Sequence, residues 1–404
     1  MSVRANISRV AAAVAVAAMA TTAPLRASDH ADPIDLMGNK PLEGGITDLF
    51  FFPDGDHVAI ILCVRRGLTQ TASLQLLPYT YRINLDLHTT ISRDDDESNK
   101  RYGGKILNPA GISPTHTIEF RLMNNATVNG APRLTGFSGS PRIQQWSGKI
   151  GDLRDAQPVP GAVNIWTGVT DDPFIFPVFF GTNVVAMVLS IPRSLFPPDQ
   201  RDWVLWATSS EGDRQIDHVG RSLRTQNPRF ELLNTLPPSR HVEAIKAEHE
   251  HPSLMRDVFL RIGLQQTFAY RKWDQVPDVM LYTTREPVKF PNGRVLTDDV
   301  AEELARYGDT LLKEISYIAG GWPRKTTNDK EFLVVTRPDG TTAPKFPYLA
   351  TPWPDKMPGP RPMLTNASRF KLLLIAVLVV GTPFLIGWLI AYLFYRRKFR
   401  LRYL

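Results

Sequence analysis

Of 404 residues, 47 are Lys or Arg and 40 are Asp or Glu, a formal net charge of +7, and there is one cysteine. Arg4, Arg9 and Arg26 near the start and Arg396, Arg397, Lys398, Arg400 and Arg402 at the end carry eight positive charges with no acid among them, so residues 28 to 395 sum to −1. That balance excludes a global basic field for nucleic acid, and the lone Cys63 excludes an internal disulfide and a C-x-x-C-H haem attachment.

Arg4 and Arg9 precede an apolar, alanine-rich stretch from Val10 to Ala20, and the small residue Ala27 stands before Ser28. This is the order of a secretory signal peptide over residues 1–27. The stretch is too short to span a bilayer, and the two arginines are not adjacent, so a twin-arginine route is not supported. Residues 28–343 then read as one exported domain, large enough for one large core or two smaller ones.

Strand signals dominate its first half. His57 to Val64, Tyr79 to Leu87, Thr115 to Leu122, Asn183 to Ile191 and Trp203 to Thr208 are short, rich in β-branched or aromatic residues, and bounded by Gly, Pro, Asn or Asp. Tyr81, Ile83, Leu85 and Leu87 alternate with Arg82, Asn84 and Asp86, the period of a half-buried antiparallel strand. Ile118, Phe120 and Leu122 alternate in the same way with Glu119 and Arg121, and Cys63 reads as a core thiol on a buried strand. The expected fold is mainly β within the α+β class: an antiparallel sandwich or barrel-like closure with peripheral helices.

Between strands, Asp94, Asp95 and Asp96 are consecutive and lack the alternating ligands and glycine of a calcium loop, so they read as a solvated acidic loop. Asp171 and Asp172 follow the strand-like Val163 to Val169, and Asp171 reads as a turn residue. A charged helical candidate from Arg240 to Leu260 is interrupted by Pro252. It carries His241, His249 and His251 among acids; i and i+8 on one helix lie about 12 Å apart, too far to share one zinc, so a solvated helix is expected. Arg294 follows Asn292-Gly293 as a turn residue or as a partner for a carboxylate or anionic ligand. Val300, Leu304, Tyr307, Leu311, Leu312 and Ile315 recur at helical spacing, with Asp299 as N-cap and Glu302 completing a capping box.

Seven prolines fall within the nineteen residues from Pro344 to Pro362, so residues 344–371 read as a proline-rich stalk of up to about 60 Å, or as a segment packed along the domain. Leu372 to Tyr395 is an uncharged, almost wholly apolar run that would span roughly 36 Å as a helix, enough to cross a bilayer. Trp388, Tyr392 and Tyr395 gather at its basic end, as interfacial rings do. With residues 396–404 retained inside, the positive-inside rule places the head on the periplasmic side of a bacterial cytoplasmic membrane, in a single-pass type I orientation.

Five segments in order carry a resemblance: Ser28-Asp-His-Ala-Asp-Pro33, Thr47-Asp-Leu-Phe-Phe-Phe-Pro-Asp54, Thr170-Asp-Asp-Pro-Phe-Ile-Phe176, Asp217-His-Val-Gly-Arg221 and Asn292-Gly-Arg-Val-Leu-Thr-Asp-Asp-Val300. From about Ser28 to Pro354 the chain resembles a family of exported bacterial proteins of unknown function. Their mature chains open with Ser-Ser-His-Arg-Glu-Ala-Pro and carry Asp-Asp-Pro-Phe-Phe and Gly-Arg-Thr-Asp-Asp-Val-like motifs. The resemblance implies a secreted, β-rich domain with no assigned reaction. Here Ala31-Asp32 replaces the opening Arg-Glu, and the acidic loop lacks its glycine.

His30, Asp48, Asp171, Asp172, Arg294 and Asp298 are the ligand-binding candidates, since their meeting in space would make a site. No G-x-S-x-G, Walker loop, dinucleotide fingerprint or H-E-x-x-H is present, and no motif names a cofactor. Two functions follow. One is a non-catalytic binding or assembly protein, held to the lipid bilayer by its C-terminal helix and docking an envelope partner. The other is a tethered metal-dependent enzyme using the pairs Asp171-Asp172 and Asp298-Asp299.

Overall fold

The computed structural model describes residues 44–68, 79–121, 132–139, 141–147, 156–173, 182–225, 227–261, 263, 265–298, 300–307, 332–336, 340, 342–355 and 385–395. The chain divides into two units, one of them Leu25–Met357 and the other made up of Met1–Pro24 and Pro358–Leu404. In the second unit residues 385–395 are helical and exposed. Among the described residues no helix is long and apolar enough to cross a membrane; residues 372–384 of the expected span lie outside them, as does the leader.

In Leu25–Met357, β-branched and aromatic runs form two open sheets. The first has the order β1 (Ile46–Asp54), β2 (His57–Leu68), β10 (Asn183–Pro192), β9 (Val163–Asp171) and β8 (Ile143–Ser147). The second has the order β12 (Arg214–Val219), β11 (Asp202–Glu211), β3 (Tyr79–Asp86), β6 (His116–Arg121) and β7 (Arg133–Thr135), with β13 (Met280–Thr283) beside β11. All pairings in both are antiparallel except β8 with β9. Two small ribbons pair β4 (Ile91–Ser92) with β5 (Lys105–Ile106), and β14 (Val334–Thr336) with β15 (Thr342–Pro344). The mainly β expectation holds. Barrel closure does not: neither sheet order returns on itself, because β1 and β8 end one path and β12 and β7 the other.

The inner faces meet in one core. Leu49, Phe51, Ile60, Leu62, Val185, Met187 and Leu189 of the first sheet pack with Tyr81, Ile83, Leu85, Ile118, Phe120, Trp203 and Leu205 of the second. Phe51 and Trp203 lie 5.4 Å apart between ring centres.

Both outer faces are also covered, and this corrects the expectation of a half-buried β3. Val204, Trp206 and Leu281 on the outer face of the second sheet pack under Ile91, Ile106 and Ile112. Strand β3 is therefore buried on both sides rather than half-buried. Its Asp86 is 1% exposed and accepts the amides of His88, Thr89 and Ser113 and the Thr89 hydroxyl. On the first sheet, Phe50, Phe52, Ile61, Cys63 and Trp166 are covered by Leu296, Phe346, Tyr348 and Leu349. The start of the proline-rich segment thus lies packed on the domain, the second of its two sequence readings; residues 356–371 lie outside the described residues. Tyr348 edges onto Phe52 at 5.3 Å and donates its hydroxyl to Asp54 Oδ2 at 2.8 Å.

Helices are short: α1 (Asp96–Tyr102), α2 (Pro238–Glu250), α3 (Leu254–Arg261), α4 (Gln265–Phe268) and α5 (Val300–Arg306). The acidic loop is in fact the start of α1. Asp95 caps it, accepting the amides of Glu97 and Ser98, and Asp96 and Glu97 complement the dipole. Pro252 separates α2 from α3 as expected. Asp299 lies outside the described residues.

Candidate functional site

The structure brings three of the six sequence candidates together. Gly293 adopts φ +74°, where a side chain would be strained, and its amide donates to the Leu281 carbonyl at 2.7 Å. The turn sends Arg294 back along the edge of β1, where Phe51 and Arg294 exchange backbone bonds at 3.2 and 3.0 Å. The Arg294 side chain then reaches under the sheet. Its Nη2 lies 3.5 Å from Asp48 Oδ1, its Nη1 donates to the Leu49 carbonyl at 3.3 Å, and its Cζ sits 3.9 Å over the Phe50 ring.

Asp298 accepts the amides of Val295 at 2.8 Å and Phe290 at 3.0 Å, and it exerts an attractive field on Arg294. Burial lowers the Arg294 pKa to about 9, so the guanidinium stays charged at neutral pH. Burial also raises the Asp298 pKa, against the two amides and Arg294. Asp48 is fully buried and Arg294 is 5% exposed, so this trio is an internal tie between β1 and the 292–298 turn.

Asp171 and Asp172 sit at the end of β9. Asp171 is the last strand residue rather than a turn residue, buried because the segment after Tyr348 crosses over it: Trp353 Nε1 donates to Asp171 Oδ1 at 2.7 Å, and the Asp171 amide donates to the Ala350 carbonyl. Asn183, opposite Asp171 on β10, exchanges two further bonds with the Trp353 backbone. Trp353→Phe, which keeps a ring and removes the indole donor, is expected to cost about 1–3 kcal/mol; an unchanged urea midpoint would show that the latch carries no weight. The Asp172 amide donates to the Thr182 carbonyl. Among the described residues no group of three His, Cys, Asp or Glu side chains is placed to hold a metal ion. His30 lies outside the described residues.

A different constellation forms where five distant segments converge. The end of α1 supplies Arg101 and Tyr102, and the loop after β12 supplies Arg221 and Arg224. The 3-10 segment Pro228–Thr235 supplies Arg229 and Phe230, the turn before β13 supplies Arg271, Trp273 and Asp274, and the end of α5 supplies Leu304 and Tyr307. The lining holds five guanidinium groups and one carboxylate. It encloses about 20 Å³ of room for solvent, one or two waters, within about 370 Å³ of unfilled space that runs out to the surface.

Aromatic rings sit against four of the guanidinium groups. Arg101 stacks on Trp273 at 4.3 Å, Arg221 on Tyr102 at 4.8 Å, and Arg224 and Arg229 on Phe230 at 4.6 and 4.7 Å. Arg229 Nε donates to Asp274 Oδ2 at 3.1 Å, and Arg101 pairs with Glu97 and donates to the Tyr307 carbonyl at 2.6 Å. Arg224, 2% exposed, donates to the carbonyls of Asp274, Val276 and Pro277 at 2.7–2.8 Å. Burial raises the Tyr102 pKa, so its phenol remains a neutral donor.

Beneath the cleft a buried network sets the arginine loop. Asp278 accepts the amides of Gly220 at 3.2 Å and Arg221 at 2.9 Å. Gly220 is required there, since a Cβ would stand 2.4 Å from the Asp278 carbonyl oxygen and from Val279 Cα. His218 Nε2 donates to the Asp278 carbonyl at 2.7 Å, and the His241 ring meets His218 edge to face at 4.8 Å. His241 is fully buried, which corrects the solvated-helix expectation: the first turns of α2 lie against this network while His249 and His251 stay toward the surface.

Sequence reasoning missed the cleft. Arg221 stood in a landmark segment, but Arg101, Arg224, Arg229 and Arg271 were unmarked. The available signal was local, three arginines and an aromatic within Arg221 to Phe230.

Compared with family models, curated proteins and solved structures, the chain matches none.

Proposed function

We propose that the chain is an envelope binding or assembly protein. Its exported β-rich head is held to the bacterial cytoplasmic membrane by residues 372–395, and it recognises a ligand or partner without transforming it. The arginine-lined cleft carries this reading: five guanidinium groups and four aromatic side chains line one concavity that opens to the surface, a setting suited to recognition. The leader-like start, the apolar run near the end and the resemblance to an exported family support the location.

A metal-dependent enzyme would need carboxylates from the aspartate pairs to converge with a histidine. Of these, Asp171 is engaged with the Trp353 indole and Asp298 with two backbone amides.

The test is affinity capture of the full chain from membranes in mild detergent, beside Arg101→Gln and Arg221→Gln. The expected result is a stoichiometric partner or ligand with the parent chain and its loss in both variants. Capture of nothing by the parent, or equal capture by all three, overturns the proposal.

A further inference from the structure

We propose that a second cavity, between the turn after β3 and the turn before β11, takes a free amino acid as its zwitterion. This cavity shares no lining residue with the arginine-lined cleft, so it stands or falls independently of the reading above.

The cavity offers about 410 Å³ of room for solvent, within the range of small-molecule sites, and it opens to the surface. One wall runs from Leu87 to Thr90 and the other from Asp199 to Asp202. Both are held in place. Asp86 accepts the His88 and Thr89 amides at 2.9 and 3.0 Å and the Thr89 hydroxyl at 2.7 Å. Gln200 Nε2 donates to the Leu87 carbonyl at 3.2 Å and to the Asp202 carbonyl, so one amide group ties the two walls together. The Arg201 carbonyl accepts the Thr284 amide at 2.9 Å. Walls fixed in this way lose little freedom when a ligand enters.

The charges name the ligand. Asp199 and Arg201 are exposed in the same wall, and among the described residues neither side chain has an ion-pair or hydrogen-bond partner, the other included. Asp202 is 8% exposed. Its Oδ2 accepts Arg285 Nη2 at 3.1 Å and the Ile91 amide at 3.3 Å, while its Oδ1 is buried with no hydrogen-bond partner. Arg285 thus offsets the Asp202 charge, yet one carboxylate oxygen in this wall still lacks a donor.

The lining is left with one unanswered carboxylate and one unanswered guanidinium. A lone anion would answer Arg201 and oppose Asp199, and a lone cation would do the reverse. An ammonium and a carboxylate on one small molecule answer both. Arg201 offers a planar fork to the carboxylate, and Asp199 accepts from the ammonium, with Asp202 Oδ1 as a further acceptor in the same wall. His88 and Thr90, exposed on the opposite wall, leave room for the ligand's own side chain.

The experiment is calorimetric titration of the detergent-solubilised full chain at low ionic strength with L-alanine, L-glutamate, L-lysine, L-phenylalanine and glycerol. The N-acetyl and methyl ester forms of the tightest-binding amino acid follow. Saturable binding of at least one amino acid is expected, with each blocked form at least about three-fold weaker, a modest factor because exposed charges are screened by solvent. Asp199→Asn is expected to erase the preference over the N-acetyl form, and Arg201→Gln the preference over the methyl ester. Both side chains are exposed and have no partner to lose, so the variants keep the fold, which circular dichroism checks. A merely structural role would not move the two preferences separately. The inference is overturned by no saturable binding of any amino acid, by glycerol binding equally well, or by blocked forms that bind as tightly as the free one. Preferences unchanged in either variant overturn it too.

Discussion

Replacing Arg294 by methionine is expected to lower the stability of the β-rich domain by about 3–5 kcal/mol, the range for breaking a buried ion pair. Asp48 is fully buried beneath β1, and the Arg294 guanidinium beside it also supplies a hydrogen bond to Leu49 and a face against Phe50. The methionine keeps much of the volume and loses the charge. The substitution removes a positive charge that offsets the buried Asp48 carboxylate, which stands opposite Cys63 of β2, and so raises the cost of keeping that carboxylate ionised. Asp48→Asn in the Arg294→Met background is expected to recover part of the loss, because it removes the buried negative charge; this recovery distinguishes electrostatics from lost packing. Urea titration of the four variants measures the coupling. Additive single losses, with no recovery, would show that Asp48 and Arg294 act independently.

That pair also shows what a sequence can reveal. The alternation in β3 and β6 located strands because side chains two apart share a face, but period two is silent on whether the second face is covered. Asp86 and Asn84 look like solvent residues along the chain; they are buried because the loop from Leu87 to Thr115 folds over the sheet, where it supplies the partners of Asp86, while Thr117 of β6 donates to Asn84. The prolines from Pro344 onward excluded a helix and a central strand. They did not exclude burial, since Phe346 and Tyr348 between them are core aromatics. Arg294 was singled out by its turn, whose Asn292-Gly293 pair is a local signal, whereas its partner Asp48 is 246 positions away and only β pairing brings it near. The arginine cleft lies further beyond a linear reading, with five contributing segments that share no spacing.

The histidine network yields the second large effect, through pH. The Asp278 amide donates to His241 Nδ1 at 3.1 Å, so that nitrogen is an acceptor; Nε2 donates to the Leu236 carbonyl at 2.9 Å. The ring is thereby fixed as a neutral tautomer, and a second proton would land on a nitrogen already facing a donor. Burial is the largest cause depressing its pKa to about 3, with His218 next; Asp278 and the Leu236 carbonyl oppose, and Arg224 adds a smaller depression. The unfolded chain binds this proton near 6.5, so between pH 6.5 and about 3 the unfolded state holds more protons than the folded one. Stability therefore falls as pH drops through that window, by up to about 1.4 kcal/mol per unit and about 3 kcal/mol by pH 4. Asp278, whose pKa is held below the ordinary carboxylate range by His218, Arg224 and His241 against burial, adds a loss only as pH falls below about 4, so the two contributions separate. His241→Gln is expected to be less stable at pH 7, having lost a fitted acceptor and donor, yet flatter between pH 6.5 and 4. Melting temperatures of parent and variant across that range should converge as pH falls. Parallel profiles would show that His241 does not titrate with unfolding. Because the folded state keeps His241 neutral down to about pH 3, and Asp278 continues to hold the amides of Gly220 and Arg221 there, the loop that places Arg221 and Arg224 in the cleft is expected to keep its arrangement across this window while global stability falls.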